Sequence, residues 1–208
     1  NMFTGIIKEV GLVKAIKAQE KGKVITIECP KLSQKKKVDE SIAVNGTCLT
    51  VTAIDNSNLS FYIINESLEK TNLGTLKEGS RVNLEPALEL NQGLDGHMVL
   101  GHIDTTANVL KLENGSLTIK TPKEYQKYIA YKGSITINGV ALTIAKLEEN
   151  YFTVELIPHT LKHTTLQELQ KGHKVNIEVD LIARYLDRLL RDKEKEASYD
   201  FLKERNLL

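Results

Sequence analysis

"VNGTCLTV", Val44 to Val51, reads as strand, tight turn and strand, and 93 positions later the chain writes "INGVALTI", Ile137 to Ile144. Asn-Gly between two β-branched runs favours a two-residue hairpin, because both central residues of such a turn need positive φ and Asn and Gly tolerate it best. The copies agree at Asn, Gly, Leu and Thr, whereas Cys48 becomes Ala141. The same offset relates "TNLGTLKEGSRVNLE", Thr71 to Glu85, to "TTLQELQKGHKVNIE", Thr164 to Glu178, with seven of fifteen positions identical. "TGIIKEVGLV" from Thr4 matches "LGHIDTTANV" from Leu100 at an offset of 96. A repeat of this length exceeds any solenoid unit, so each copy should be a whole small domain. The expected division is 1–93, 94–180 and a C-terminal segment 181–208, the first break falling in "ELNQGLDGHM", Glu89 to Met98.

Each unit carries a β pattern. "KVITIECP" and "SLTIKTP" are β-branched runs stopped by Pro30 and Pro122, and "LTVTAID-NSN-LSFYII" has its twin in "LTIAKLE-EN-YFTVELI". Six or so short strands with no room for crossover helices predict an all-β fold of two similar six-stranded closed barrels of Greek-key type, since closure removes exposed edges. The last segment differs in kind. Leu181, Ile182, Tyr185, Leu186, Leu189 and Leu190 share one helical stripe, with Arg184, Asp187, Arg188 and Arg191 opposite. That helix has no counterpart after the first unit, which favours a role in oligomerisation.

Charge and cysteine content narrow the function. Twenty-eight basic and 27 acidic side chains leave +1, so no bulk field recruits nucleic acid or an anionic membrane. No apolar run approaches the roughly 20 residues of a bilayer span. Lys8 and Glu9 interrupt any signal-like region, and Asn1 ahead of Met2 reads as an appended residue. Cys29 and Cys48 have neither CxxC nor His-Cys spacing, so no zinc site or disulfide framework is expected and a reduced, cytoplasmic setting fits. His159 and His163 stand four apart but follow Pro158 and lack a third ligand, so no metal is expected. No phosphate-cradling Gly loop, GxSxG elbow or HExxH is present.

The halves differ chemically at a few aligned positions. Ile6 corresponds to His102, Cys48 to Ala141, Asn65 to Pro158, Ser67 to Thr160 and Ala87 to Asp180, while Thr50 and Thr143 are retained. Two similar pockets with a shared floor and divergent reactive groups would explain this. Each residue also has a plainer reading: His102 as a structural or exposed residue, Cys48 as a small core side chain, Asp180 as the N-cap of the helix starting at Leu181.

"MFTGII", "NGTCLTV", "TNLG", "GHIDTTA", "YKGSITINGVALTI", "IPHTLKHTTL" and "VNIEVD" together resemble the riboflavin synthase family, in order and over nearly the whole chain. The resemblance implies two lumazine-binding barrels and a helix that assembles homotrimers. It implies a cofactor-independent transfer of four carbons between two 6,7-dimethyl-8-ribityllumazine molecules, giving riboflavin and 5-amino-6-ribitylamino-pyrimidinedione. It places each composite site where one subunit's N-terminal barrel meets its neighbour's C-terminal barrel, and it leaves open an association with lumazine synthase. Carried over by position, the first pocket would use Gly5, Ile6, Ile7, Cys48, Leu49, Thr50, Tyr62, Ile63, Ile64, Asn65, Glu66 and Ser67. The second would use Gly101, His102, Ile103, Lys132, Ala141, Leu142, Thr143, Leu156, Ile157, Pro158, His159, Thr160 and Leu161. The C7 methyl of the lumazine is acidic because its anion delocalises into the ring carbonyls. His102 suits its deprotonation, and Asp180, Thr143 and Cys48 are candidates to position water, assist proton transfer or bond the adduct. Ala141 stands where the family commonly has Ser, which puts a catalytic role for that hydroxyl in doubt. The competing expectation is a non-catalytic, antenna-type lumazine or flavin binder; a reductase flavin barrel would need a nucleotide-binding domain for which no room remains.

Overall fold

The computed structural model describes residues 1–191. Twelve strands form two closed antiparallel barrels. The first contains β1 (Glu9–Gln19), β2 (Gly22–Glu28), β3 (Ser41–Val44), β4 (Thr47–Asp55), β5 (Asn58–Ile64) and β6 (Arg81–Pro86). The second contains β7 (Thr105–Glu113), β8 (Ser116–Lys120), β9 (Ser134–Ile137), β10 (Val140–Leu147), β11 (Tyr151–Glu155) and β12 (Lys174–Val179). Around the first barrel the order is β1-β2-β5-β4-β3-β6, and the second closes in the equivalent order. Three short helices interrupt the strands: α1 (Pro30–Ser33), α2 (Asn65–Lys70) and α3 (Pro158–His163). Helix α4 follows β12 over residues 181–191, so the expected helix 181–208 lies partly outside the described residues.

Alternation along the strands sorts the side chains. In β4, Leu49 and Val51 point inward while Cys48, Thr50 and Thr52 point out; in β5, Leu59, Phe61 and Ile63 are the inward set. Each interior is filled by its own cluster, built around Phe61, Ile25 and Leu84 in one barrel and Phe152, Ile119 and Ile177 in the other. Each lumen is therefore packed core, and a ligand site must lie on a barrel's outer wall. β-Bulges recur at matching places, between Val13 and Ala15 and between Val109 and Lys111, then between Val51 and Ala53 and between Ile144 and Lys146. They bend the strands enough to close a barrel of only six.

The repeated hairpin explains how the barrels join. Asn45 and Gly46 both have positive φ (45° and 82°), as do Asn138 and Gly139 (46° and 78°). The two turns meet back to back: a Cβ on Gly46 would lie 2.8 Å from the Gly139 nitrogen. Buried asparagines brace this contact. Asn83 Nδ2 donates to the Asn138 carbonyl (2.9 Å) and Asn176 Nδ2 to the Asn45 carbonyl (2.8 Å). Their Oδ1 atoms accept from Thr165 N (2.8 Å) and Asn72 N (2.6 Å) on the opposite barrel. The Asn in each "VN(L/I)E" is thus a joint between halves, with every amide group satisfied in a place where an orphan would be costly.

Candidate functional site

The β4–β5 ladder runs from Asp55↔Asn58 to Val51↔Phe61 and stops. Before Val51, β4 pairs only with β3, through Thr50↔Ser41, Leu49↔Ile42 and Cys48↔Ala43. Tyr62, Ile63 and Ile64 pair only with β2. The strands therefore splay, and backbone alternation turns main-chain groups of Thr50 and Ile64 into the gap. The second barrel repeats the arrangement: the β10–β11 ladder begins at Ile144↔Val154, leaving Ala141, Leu142 and Thr143 paired only with β9. Leu156 N turns away to the Gly115 carbonyl (2.7 Å), so the alternating Ile157 faces the gap. Each barrel thus carries a slot on its outer wall. Thr50 and Thr143 are exposed beside the slots, as are Ile64 (49%) and Ile157 (62%). Leu49, Ile63 and Leu156 are buried in the cores, so their side chains do not reach the slots.

An arm precedes each barrel, and the arms are exchanged. Phe3 and Val99 pair antiparallel (2.8 and 3.1 Å). Beyond them the Gly5 carbonyl accepts from Ala141 N (2.8 Å) and the Gly101 carbonyl from Cys48 N (2.9 Å). Ile7 packs against the second barrel's core cluster. The grouping expected from linear alignment is corrected here: Gly5, Ile6 and Ile7 go with Ala141 and Thr143, and Gly101, His102 and Ile103 go with Cys48 and Thr50. Physically, each arm crosses the pseudo-dyad at a glycine with φ near 75–77°, where a Cβ would stand 2.5 Å from that of Ala141 or 2.7 Å from that of Cys48.

Buried carboxylates hold the arms. Glu85 accepts from Thr4 N (2.7 Å), Thr4 Oγ1 (2.8 Å) and Gly5 N (2.9 Å), and Glu178 from Leu100 N (2.7 Å) and Gly101 N (3.0 Å). Burial pushes the Glu178 carboxyl up to about 7 against the downward pull of those N–H groups, and pushes Glu85 in the same direction. Both glutamates end a repeated motif, so the sequence signal was present; its meaning was not.

The proposed reactive residues are distributed between the slots. His102 is exposed on the arm beside Cys48, and its carbonyl accepts from Arg184 Nη2 (3.4 Å). Cys48 is half-buried against Phe3 and Val99. Asp180 caps α4, its Oδ1 accepting from Ile182 N (2.9 Å), as its plainer reading expected. Among the described residues no hydrogen bond joins His102, Asp180, Cys48 and Thr143 to one another. In the loops, Lys132 sits at φ 63° with its N–H on the Ile144 carbonyl (3.0 Å), and Asn65, Glu66, Pro158 and His159 are exposed where α2 and α3 begin. Ser67, Thr160 and Leu161 are half-buried there.

Sequence reasoning missed His97. It is half-buried, with Nε2 3.1 Å from Thr136 Oγ1 and its backbone N–H on the Thr4 carbonyl (3.2 Å). Burial lowers its pKa, partly countered by the nearby Asp180 charge. It lies in the inter-barrel stretch, outside the aligned repeats, so no comparison of halves could expose it. Asp104 was missed too: its Oδ2 accepts from Val179 N (2.8 Å) and pairs with Arg184 (2.7 Å), which ties the second arm to α4.

The family model described as "Lumazine binding domain" matches residues 4–87 and 100–180, one match per barrel. A riboflavin synthase from Actinobacillus pleuropneumoniae is 40% identical over 98% of this chain and 99% of that protein. One from Bacillus subtilis (strain 168) is 41% identical over 91% of this chain and 90% of its own length. Crystal structures of LumP complexed with 6,7-dimethyl-8-(1'-D-ribityl) lumazine and with riboflavin are 27% and 29% identical, with TM-scores of 0.76 and 0.78. Each match covers 85% of this chain and 98% of the other.

Proposed function

The chain belongs to the riboflavin synthase family of lumazine-binding proteins, and from that premise we propose how its two slots carry the family's reaction. It is an enzyme of the transferase type that makes riboflavin by dismutation of two 6,7-dimethyl-8-ribityllumazine molecules. The observation carrying the mechanism is the pair of equivalent outer slots, each with splayed strands and a borrowed arm. A reaction between two identical heterocycles needs two receptors of one kind. In each, main-chain groups beside Thr50 and Ile64, or Thr143 and Ile157, hydrogen-bond the pyrimidinedione edge while isoleucine packs on a ring face.

In this reading His102, exposed beside the first slot, removes the acidic methyl proton. Cys48 and Thr143 lie at the reacting faces, and Asp180 adds a charge near the second slot while it caps α4. Much of the rate comes from holding two rings in reacting orientation. In the same reading a first-barrel slot of one subunit faces a second-barrel slot of its neighbour. The exposed Ile182, Tyr185, Leu186, Leu189 and Leu190 on α4 supply the apolar face for a homotrimer. Two free cysteines suit a cytoplasmic location, and lumazine synthase, as maker of the substrate, is the partner this setting would offer. Among the described residues no helix is long and apolar enough to cross a membrane.

The test is complementation. His102→Gln and Asp180→Asn chains, each nearly inactive alone, should regain turnover when co-refolded, because mixed trimers contain some composite sites with both residues intact. Activity no higher than either parent would refute sites shared between subunits.

A further inference from the structure

The slots differ in charge where their strands run into the short helices. Helix α2 carries Glu66, Glu69 and Lys70, with Lys70 paired to Glu66 at 2.6 Å. At the matching positions α3 carries His159, Lys162 and His163. The arms diverge in the same sense: Lys8 in the arm of the second slot corresponds to Asp104 in that of the first. Beside α3 opens a groove of about 320 Å3, walled by Lys8, Lys31, Arg81, His159, Lys162 and His163. Glu9 also lines it. Arg81 is ion-paired to Glu168, and the Glu9 carboxylate accepts from Lys31 N (3.1 Å) and Leu32 N (2.9 Å) at the start of α1. Lys8, Lys31 and Lys162 have no acidic partner among the described residues. Ile7, on the arm that packs against the second barrel, and His159, two residues beyond Ile157, both line this groove, which places it next to the second slot.

We propose that the groove receives a phosphomonoester dianion at the end of the ribityl chain of a ligand seated in the second slot, so that this slot favours phosphorylated over unphosphorylated flavin. The inference rests on the lumazine-binding reading of that slot. A ring held beside Thr143 and Ile157, its side chain running along α3, brings a terminal phosphate to Lys162 and across to Lys8 and Lys31. Lysine ammonium groups bind phosphate as point charges, and three of them around one dianion reinforce each other where a lone surface pair contributes little. In the first slot the matching positions hold Asp104, paired to Arg184, and Glu66 and Glu69, so none of these positions offers a cation to the same group. A phosphorylated form of the product, made by the kinase-type reaction that would consume riboflavin, then competes with substrate at one of the two receptors.

Fluorescence titration of the full chain with riboflavin, FMN and inorganic phosphate tests this. At low ionic strength FMN should bind one class of site roughly tenfold more tightly than riboflavin, as two or three screened charge contacts would give. That advantage should vanish in high salt and in Lys162→Glu and Lys31→Ser, with riboflavin affinity and turnover unchanged in both variants. Inorganic phosphate should weaken FMN binding and leave riboflavin binding alone. Equal affinities for the two flavins, or an FMN advantage that survives both substitutions, overturns the proposal while the slots stand. Failure of riboflavin to bind at all overturns the reading of the slots beneath it.

Discussion

Replacing Gly101 with alanine separates two effects that a glycine at positive φ usually confounds. Gly101 has φ +75°, and a Cβ there would lie 2.7 Å from Cys48 Cβ, 3.0 Å from Cys48 N and 3.0 Å from Phe3 Cε2. The left-handed backbone alone costs an alanine about 1–2 kcal/mol. Crowding backbone and a packed side chain adds about 1–3 kcal/mol, and loss of the 2.9 Å bond from Cys48 N to the Gly101 carbonyl adds about 1 kcal/mol. The total is about 3–6 kcal/mol, or a fall in Tm of roughly 6–24 °C at 2–4 °C per kcal/mol for a chain of this size. Gly79 and Gly172 supply the control, because their φ values are +84° and +90° and nothing lies within 4 Å of an added Cβ. Alanine at either keeps the backbone strain, partly offset by a less flexible unfolded chain, and should cost about 1 kcal/mol. Calorimetry on the three variants reads the difference, and turnover of Gly101→Ala should drop as the arm bearing His102 lifts from the first slot. Equal Tm shifts for all three, with Gly101→Ala still active, would show that the arm does not depend on that close approach.

The other predictions concern charge, joint and thiol. Between the ordinary carboxylate value of 4.5 and about 7, Glu178 keeps in the folded state a proton that the unfolded chain has released. Stability should therefore fall as pH rises through that window, by up to about 3 kcal/mol, and level off above it. Denaturant midpoints from pH 5 to 8 should show a shallower slope in Glu178→Gln, with Glu85 and Asp104, also raised by burial, supplying the remainder. Asn176→Ala orphans Asn72 N and the Asn45 carbonyl in a fully buried joint and should destabilise by about 2–5 kcal/mol, read by urea melts. Cys29 is fully buried, its thiol pushed up to about 12 chiefly by desolvation, so a thiol reagent should label Cys48 first and reach Cys29 only on unfolding. Labelling of both at one rate would contradict that core.

Much of this architecture was written in the sequence because it is local and doubled. Asn-Gly turns, period-2 alternation and the fixed offset gave the strands, the closure and the count of barrels. The partition of the site was not legible. An alignment of the halves sets Gly5 beside Gly101, and chain order then suggests that each arm serves the barrel that follows it. Only the crossing at Ala141 and Cys48 reverses that assignment, and a crossing is a relation in space with no mark in linear spacing. The filling of the lumens was likewise not legible. Alternation told which residues face inward, but the volumes of Phe61, Phe152 and their neighbours had to be packed before it was plain that nothing else fits inside. His97 lay hidden in a connecting stretch with no twin to differ from.

The exchanged arms have an evolutionary corollary. A single ancestral unit of this shape, translated alone, would hold a slot without its own covering strand, and could complete it only by lending its arm to a sister molecule and taking hers. Fusing two such units into one polypeptide makes that reciprocal loan permanent. Once the lenders are covalently joined, each is free to drift, and the same contact that began as self-recognition can carry a histidine on one side and an isoleucine on the other.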